Sequence, residues 1–125
     1  MILVIGGAYQ GKLNYAKKTF HVEEWADGEN CSKEECLQAK GIFHLEGLIR
    51  RLLLDKEEVY AFAEQLCREN PEAVLICREV GYGIVPMDAF EREYRELVGR
   101  IATVIAGRAQ EVHRVTCGIG KVIKG

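Results

Sequence analysis

The first twelve residues of the chain form the pattern that most restricts its fold. An apolar run over 1–5 leads directly into Gly6-Gly7-Ala8-Tyr9-Gln10-Gly11-Lys12, which has the spacing Gly-x-x-x-x-Gly-Lys. Glycines let the backbone curl with its N–H groups pointing inward, and these donors, a helix N-terminus and a lysine together bind polyphosphate. The pattern predicts a buried strand over 2–5, a phosphate-binding loop and a helix over 12–19. The alternative is a glycine-rich turn that only packs tightly.

The residue after Lys12 departs from the usual phosphate loop. That position normally carries Ser or Thr, whose hydroxyl binds Mg²⁺ together with the nucleotide. This chain has Leu13 there, and leucine has no oxygen to offer a metal ion. We predict a nucleotide site with weakened Mg²⁺ dependence, formed by Gly6, Gly7, Ala8, Tyr9, Gln10, Gly11, Lys12 and Leu13.

Length and charge restrict the remaining possibilities. A chain of 125 residues with 48% apolar content predicts one domain over 1–125 with a substantial core. The net charge of −2 gives no electrostatic support for a nucleic-acid partner. No apolar run approaches the ~20 residues that span a bilayer, and the N-terminus lacks the basic region of a signal peptide. These features predict a cytoplasmic protein without a membrane partner.

Strand and helix patterns alternate along the chain. Such alternation predicts an α/β fold, a P-loop NTPase-like three-layer sandwich with a mostly parallel sheet. A polar spacer over 21–41 contains a short strand anchored by Val22 and Trp25. Further strands are predicted at 42–45, 73–77 and 111–117, and helices near 32–39, from Leu48, at 55–69 and at 88–109.

Five cysteines in a cytoplasmic chain are expected to be reduced. Cys77 and Cys117 lie in apolar runs, which predicts that both are buried. Cys31 and Cys36 lack the two further ligands that a structural zinc site needs, so no metal site is assigned to them.

A second motif directly follows the predicted strand at 73–77. Its residues, Glu79-Val80-Gly81-Tyr82-Gly83-Ile84-Val85-Pro86, are more specific than a generic turn. Together with the opening Gly6-Gly7-Ala8, this segment resembles the adenosylcobinamide kinase / adenosylcobinamide-phosphate guanylyltransferase family of cobalamin biosynthesis. The resemblance covers 1–20 and about 42–125, including the segments 90–100 and 112–124.

The resemblance implies phosphoryl transfer from ATP or GTP, with Mg²⁺, to a side-chain hydroxyl of a corrinoid. The corrinoid partner would be adenosylcobinamide or its phosphate. Lys12 would contact the β- and γ-phosphates, and Glu79 would hold metal or accept a proton from the attacking hydroxyl. Glu46 stands where the family has an aspartate that ends a strand, and it would hold Mg²⁺ through water. The alternatives are that Glu79 only fixes the following turn and that Glu46 only caps a helix.

The spacer is much shorter than in the family, where it carries the histidine that is guanylylated. Only His21 and His44 are nearby, neither has flanking arginines, and no guanylylated histidine is assigned. We therefore expect guanylyl transfer to be absent or very weak. The alternative function is a catalytically degenerate protein that binds nucleotide or a corrinoid in a regulatory or assembly role.

The long helix at 88–109 carries a wide apolar stripe. Because one sheet face rarely covers so wide a stripe, and because the family assembles as a homotrimer, we expect a homo-oligomer, most simply a trimer. The alternative is a monomer whose helix packs wholly against its own sheet. The residues of the stripe are Phe90, Tyr94, Leu97, Ile101, Ala102, Val104 and Ile105.

Overall fold

The protein is built on one six-stranded sheet. The computed structural model describes residues 1–80 and 88–125. The strands run in the spatial order β2-β3-β4-β1-β5-β6, and all are parallel except β6, which pairs antiparallel with β5. Their bounds are β1 (Ile2–Gly6), β2 (Trp25–Asp27), β3 (Gly41–Phe43), β4 (Val74–Arg78), β5 (Glu111–Thr116) and β6 (Ile119–Lys124).

Five helices cover the two faces of this sheet within the described residues. They are α1 (Lys12–Phe20), α2 (Lys33–Gln38), α3 (Leu45–Leu54), α4 (Val59–Glu69) and α5 (Ala89–Arg108). Helix α1 packs on one face, and α2 to α5 contribute to the larger apolar cluster on the other. The predicted α/β fold, a P-loop NTPase-like three-layer sandwich with a mostly parallel sheet, is confirmed.

Side chains that alternate along the central strands supply both layers of the core. In β1, Leu3 belongs to the larger cluster and Val4 to the smaller one, because successive strand residues point to opposite faces. Both are almost fully buried. A central parallel strand is buried on both faces, which is why these segments appear in the sequence as continuous apolar runs.

The third strand is shorter than the predicted 42–45. It ends at Phe43, and His44 adopts the left-handed conformation with φ 56° and ψ 45° at the N-terminus of α3. Glu46 therefore lies in the first turn of α3, and its expected place at a strand end is wrong. An acidic residue is favourable in a first helical turn, because the helix dipole places partial positive charge there.

The C-terminal half contains three further corrections. Helix α4 begins at Val59 and not near Asp55, because a turn with Lys56 at φ 56° precedes it. Residues 119–124 form β6, which was not predicted as a strand. Cys117 is exposed in the turn between β5 and β6, at φ 52°, whereas Cys77 is buried as expected.

Helix α5 directs most of its apolar stripe into its own domain. Of the stripe, Tyr94, Ile101 and Ile105 are buried, and Phe90 and Leu97 pack against the same core cluster, so the stripe alone gives little reason for a second subunit. The turn predicted around Gly81 and Gly83 lies outside the described residues. Among the described helices, none is long and apolar enough to cross a membrane.

Candidate functional site

A cavity of about 500 Å³ opens at the carboxyl ends of the central strands. Ligands of open α/β sheets bind at this edge, because the loops that follow parallel strands meet there. The phosphate loop and the start of α1 line this cavity, together with residues of β3 and β4 and residues that follow β2 and β3. The lining residues are Ala8, Tyr9, Gln10, Gly11, Lys12, Leu13, Asn14, Glu29, Phe43, His44, Glu46, Ile76 and Arg78.

The loop is held in place by the turn between β5 and β6. The carbonyl oxygen of Gln10 accepts a hydrogen bond from the Gly118 amide at 2.7 Å, and its Oε1 accepts one from the Cys117 amide at 2.6 Å. Gly11 has φ 84°, and a side chain there would also approach Cα of Gly118 to 3.3 Å. Glycine is therefore favoured at this position, mainly because its left-handed backbone would be strained with a side chain.

The ammonium group of Lys12 folds back over the loop that precedes it. Its Nζ donates a hydrogen bond to the carbonyl oxygen of Gly7 at 2.6 Å. Partial burial lowers the pKa of Lys12, and the nearby carboxylate of Glu46 opposes part of that shift. The ammonium is thus half-desolvated beside the cavity, where a phosphate group would offer it a stronger, charged acceptor.

Leu13 is half-buried at the start of α1, with its side chain packed against the smaller core cluster. It also lines the cavity, one residue beyond Lys12. Position 13 therefore offers packing and no oxygen ligand.

Glu46 is nearly buried in the cavity wall, with 8% of its surface exposed. Its Oε1 accepts a hydrogen bond from the backbone amide of Arg78 at 2.8 Å, which links the start of α3 to the end of β4. Glu46 thus lines the same cavity as the loop, although it arrives there on a helix and not on a strand.

Of the predicted site residues, Gly6 and Gly7 do not line this cavity, and neither does Glu79. Oε2 of Glu79 accepts a hydrogen bond from Arg114 at 3.0 Å, and its amide donates to the Gly6 carbonyl at 2.8 Å. It borders two neighbouring cavities of about 310 and 250 Å³. Gly7 borders the second of these, and Gly6 ends β1 against Val115, whose carbonyl oxygen a side chain on Gly6 would approach to 2.5 Å.

Three residues that sequence reasoning left unassigned meet beside the cavity. Among the described residues, Asp27, Glu29 and His44 form a group whose possible metal-ligating atoms all lie within 4.8 Å of one another. Nδ1 of His44 lies 2.9 Å from Oδ1 of Asp27 and 3.9 Å from Oε1 of Glu29. Carboxylate oxygens and an imidazole nitrogen can hold a divalent cation. Asp27 ends a strand only three residues long, so its position at the carboxyl edge of the sheet was hard to predict.

The other two histidines have different surroundings. His21 is exposed just after α1. His113 is buried, and both of its ring nitrogens have partners: Nδ1 lies 2.7 Å from the Tyr15 hydroxyl, and Nε2 lies 2.9 Å from Oε1 of Glu111. His44 is therefore the histidine that lines the cavity among the described residues.

Comparison with known proteins places these features in a family. The model of the family described as cobinamide kinase / cobinamide phosphate guanyltransferase matches residues 44–123. The match covers more than half of the 125 residues. The chain belongs to this family.

Two curated relatives agree with this cobinamide kinase / guanyltransferase assignment. The bifunctional adenosylcobalamin biosynthesis protein CobU of Salmonella typhimurium is 37% identical over 76 residues, which cover 61% of this chain and 41% of that protein. The protein of the same name from Escherichia coli is 42% identical over 59 residues, which cover 46% of this chain and 33% of that protein. The chain thus spans less than half the length of the curated relatives it matches.

The match to the cobinamide kinase / guanyltransferase family begins at His44 and contains Glu46 and Glu79. The phosphate loop lies before the matched range. Its assignment therefore depends on the Gly-x-x-x-x-Gly-Lys motif and on the geometry around Gly11 and Lys12.

Proposed function

We propose that this protein binds ATP or GTP at the phosphate loop and transfers the terminal phosphoryl group to a side-chain hydroxyl of adenosylcobinamide. The observation that carries the proposal is the cavity that the loop, Lys12 and Glu46 line together. Phosphoryl transfer depends mainly on positioning and on neutralising charge, and a loop amide cradle with a lysine supplies both. Family membership supports the choice of a corrinoid acceptor.

In this proposal the nucleotide phosphates contact the loop residues from Gly6 to Leu13, with Lys12 on the β- and γ-phosphates. Glu46 would hold Mg²⁺ through water, because its carboxylate lines the cavity while Oε1 is already engaged by the Arg78 amide. When bound, Mg²⁺ would neutralise charge on the phosphates. Glu79 remains a proposed metal ligand or proton acceptor, with Oε2 paired to Arg114.

The test is titration with ATP and GTP, with and without Mg²⁺, followed by a phosphoryl-transfer assay on adenosylcobinamide. We expect saturable nucleotide binding and formation of adenosylcobinamide phosphate. Failure to bind either nucleotide would refute the whole proposal. Binding without transfer would favour the second candidate function, a catalytically degenerate subunit that binds nucleotide or a corrinoid, for which Leu13 is the specific observation.

Guanylyl transfer through a histidine remains expected to be absent or very weak. A nucleophilic histidine needs an orienting group and cationic help for the phosphate, and we expected the short spacer to supply neither. The first part of that expectation is wrong, because Asp27 provides His44 with an orienting group. The second part remains, since His44 has no flanking arginines. Acid-labile label on His21 or His44 after incubation with α-labelled GTP would contradict the expectation.

Replacing Leu13 tests the metal directly. We expect Leu13→Ser to increase the Mg²⁺ dependence of nucleotide binding, because the new hydroxyl could ligate the ion beside the phosphates. Calorimetric titration of nucleotide at several Mg²⁺ concentrations measures the effect. Leu13→Ala is the matched control, since it removes the same packing without adding an oxygen. Equal Mg²⁺ dependence in the two variants would mean that the metal is held elsewhere or is not used.

A homo-oligomer, most simply a trimer, remains part of the proposal. Edge strand β6 exposes 74% of Ile119 and 52% of Ile123. We expect sedimentation equilibrium at micromolar concentration to show an oligomer that Ile123→Lys dissociates. Leu54→Lys, at an exposed leucine on α3, should leave the oligomer intact. A single monomeric species in the unmodified protein would contradict the prediction.

A further inference from the structure

A histidine–carboxylate pair lies at the carboxyl edge of the sheet, beside the cavity that the phosphate loop lines. Asp27 ends β2 and His44 directly follows β3, and these neighbouring parallel strands pair with Asp27 beside Phe43. The side chains meet at 2.9 Å between Oδ1 of Asp27 and Nδ1 of His44. His44 and Lys12 line the same cavity.

Hydrogen bonds other than the one to the imidazole also hold Asp27 in place. Its Oδ1 also accepts a hydrogen bond from the amide of Glu29 at 3.0 Å, and its carbonyl oxygen accepts bonds from the amides of Asn30 and Cys31. Arg51 Nη1 donates to the carbonyl oxygens of Gly28 and Cys31, each at 2.9 Å, and so secures the same turn.

The position of His44 is also restricted, by its own backbone conformation and by contacts with neighbouring residues. Its backbone has φ 56°, a conformation that costs energy for a residue with a side chain. The Gly47 amide donates to its carbonyl oxygen at 2.9 Å, and the Phe43 ring packs against the imidazole with centroids 4.6 Å apart. Gly28 passes so close that a Cβ there would lie 2.2 Å from the His44 carbonyl oxygen. The packing of the Phe43 ring and the close approach of Gly28 to the backbone therefore restrict where the imidazole of His44 lies.

The hydrogen bond to Asp27 determines which ring nitrogen of His44 can accept a proton. A carboxylate only accepts hydrogen bonds, so Nδ1 of His44 carries the proton that Asp27 accepts. In the neutral ring, Nε2 then has a free lone pair. A histidine oriented by a carboxylate in this way is a well-suited general base.

We propose that His44 is the general base of this site and that Asp27 is its positioning residue. Nε2 of His44 takes the proton of the acceptor hydroxyl while the hydroxyl oxygen forms its bond to the terminal phosphorus. The bond from that phosphorus to the bridging oxygen breaks, and the nucleoside diphosphate leaves with the electron pair. The imidazolium then returns its proton to water. This inference rests on the proposed phosphoryl-transfer function and gives His44 the proton-accepting role considered for Glu79.

The geometry favours His44 over Glu79 for this step. Glu79 is paired with Arg114 and borders other cavities, whereas His44 shares a cavity with Lys12 and the loop. About 44% of the His44 side chain is exposed, so a hydroxyl can reach it.

The first experiment is ¹⁵N NMR of the imidazole nitrogens in the whole protein without nucleotide. We expect the Nδ1–H tautomer for His44 in the unmodified protein and a loss of that preference in Asp27→Asn. The opposite tautomer, with hydrogen on Nε2, would overturn the proposal. Because this measurement needs neither nucleotide nor acceptor, it stands even if adenosylcobinamide proves not to be the substrate.

The second experiment separates catalysis from structure with His44→Asn. The asparagine amide nitrogen takes about the place of Nδ1 and can still donate to Asp27, and asparagine tolerates the left-handed backbone. The variant therefore keeps the hydrogen bond to Asp27 and loses the nitrogen that would accept the proton. We expect kcat for phosphoryl transfer to fall about 10²- to 10⁴-fold, with the nucleotide Kd unchanged. An unchanged kcat would overturn the proposal.

Chemical rescue with added imidazole is the third test of His44 as the general base. His44→Gly also fits the left-handed backbone and leaves a hole, which added imidazole should fill and so restore part of kcat. A stable phosphoramidate on His44 would instead identify it as a nucleophile and refute its role as a base.

If the unmodified protein binds nucleotide but phosphorylates no corrinoid, the proposed acceptor fails. Two measurements would then show whether His44 is the general base. They are the tautomer of His44 and the effect of His44→Asn on nucleotide hydrolysis, in which water is the acceptor.

Discussion

Lys12→Ala should weaken nucleotide binding by about 10- to 150-fold, which corresponds to the 1.5–3 kcal/mol that a hydrogen bond to a charged group contributes. The reason is that the ammonium of Lys12 is half-buried beside the cavity, where burial already lowers its pKa. Its present acceptor is a neutral carbonyl oxygen, and exchanging that for a phosphate oxygen adds a charge–charge attraction. Calorimetric titration with a non-hydrolysable ATP analogue measures the loss.

Helix α1 supplies the control for this measurement. Lys18 lies on the same helix, is exposed, and does not line the cavity. Lys18→Ala changes the net charge as Lys12→Ala does, so a general electrostatic effect would appear equally in both variants. We expect Lys18→Ala to change the Kd by less than about twofold, because charges exposed to solvent are screened. Equal losses in the two variants would remove Lys12 from the site.

The fold could be predicted from the sequence because its central strands are continuous apolar runs between glycine-rich turns. The residues of β1 and β4 carry that signal, and the alternation with helices follows from it. Strand β6 was missed because it lies at the edge of the sheet, where Ile119 and Val122 remain exposed and no buried alternation marks a strand.

The candidate site could be predicted only where its signal is local. The loop from Gly6 to Lys12 is a contiguous motif, and its place at the cavity agrees with that interpretation. The misplacement of Glu46 followed from a left-handed residue, His44, which is not a glycine and so gives no sign in the sequence that the strand ends there. The pair of Asp27 and His44 joins residues 17 positions apart through the pairing of two short strands.

The contact of Gly28 with His44 predicts that fold stability and the geometry of the site depend on the same residue. In Gly28→Ala the added methyl carbon would lie 2.2 Å from the His44 carbonyl oxygen and 2.9 Å from its carbonyl carbon, so backbone must move. Overpacking of this kind typically costs about 1–3 kcal/mol. We expect the free energy of unfolding, measured by urea denaturation, to fall by that amount.

The same change should disturb the site, because the displaced backbone carries the imidazole that Asp27 orients. We expect Gly28→Ala to lower kcat for phosphoryl transfer and to weaken the Nδ1–H tautomer preference of His44. Gly99→Ala is the matched control. Gly99 lies within α5 with nothing within 4 Å of an added Cβ, so alanine should raise the free energy of unfolding by about 0.5–1 kcal/mol through helix propensity alone. Opposite signs of the two stability changes, with the tautomer altered only in Gly28→Ala, are the expected result. A stable Gly28→Ala variant with an unchanged tautomer would mean that the turn after β2 yields easily and does not position His44.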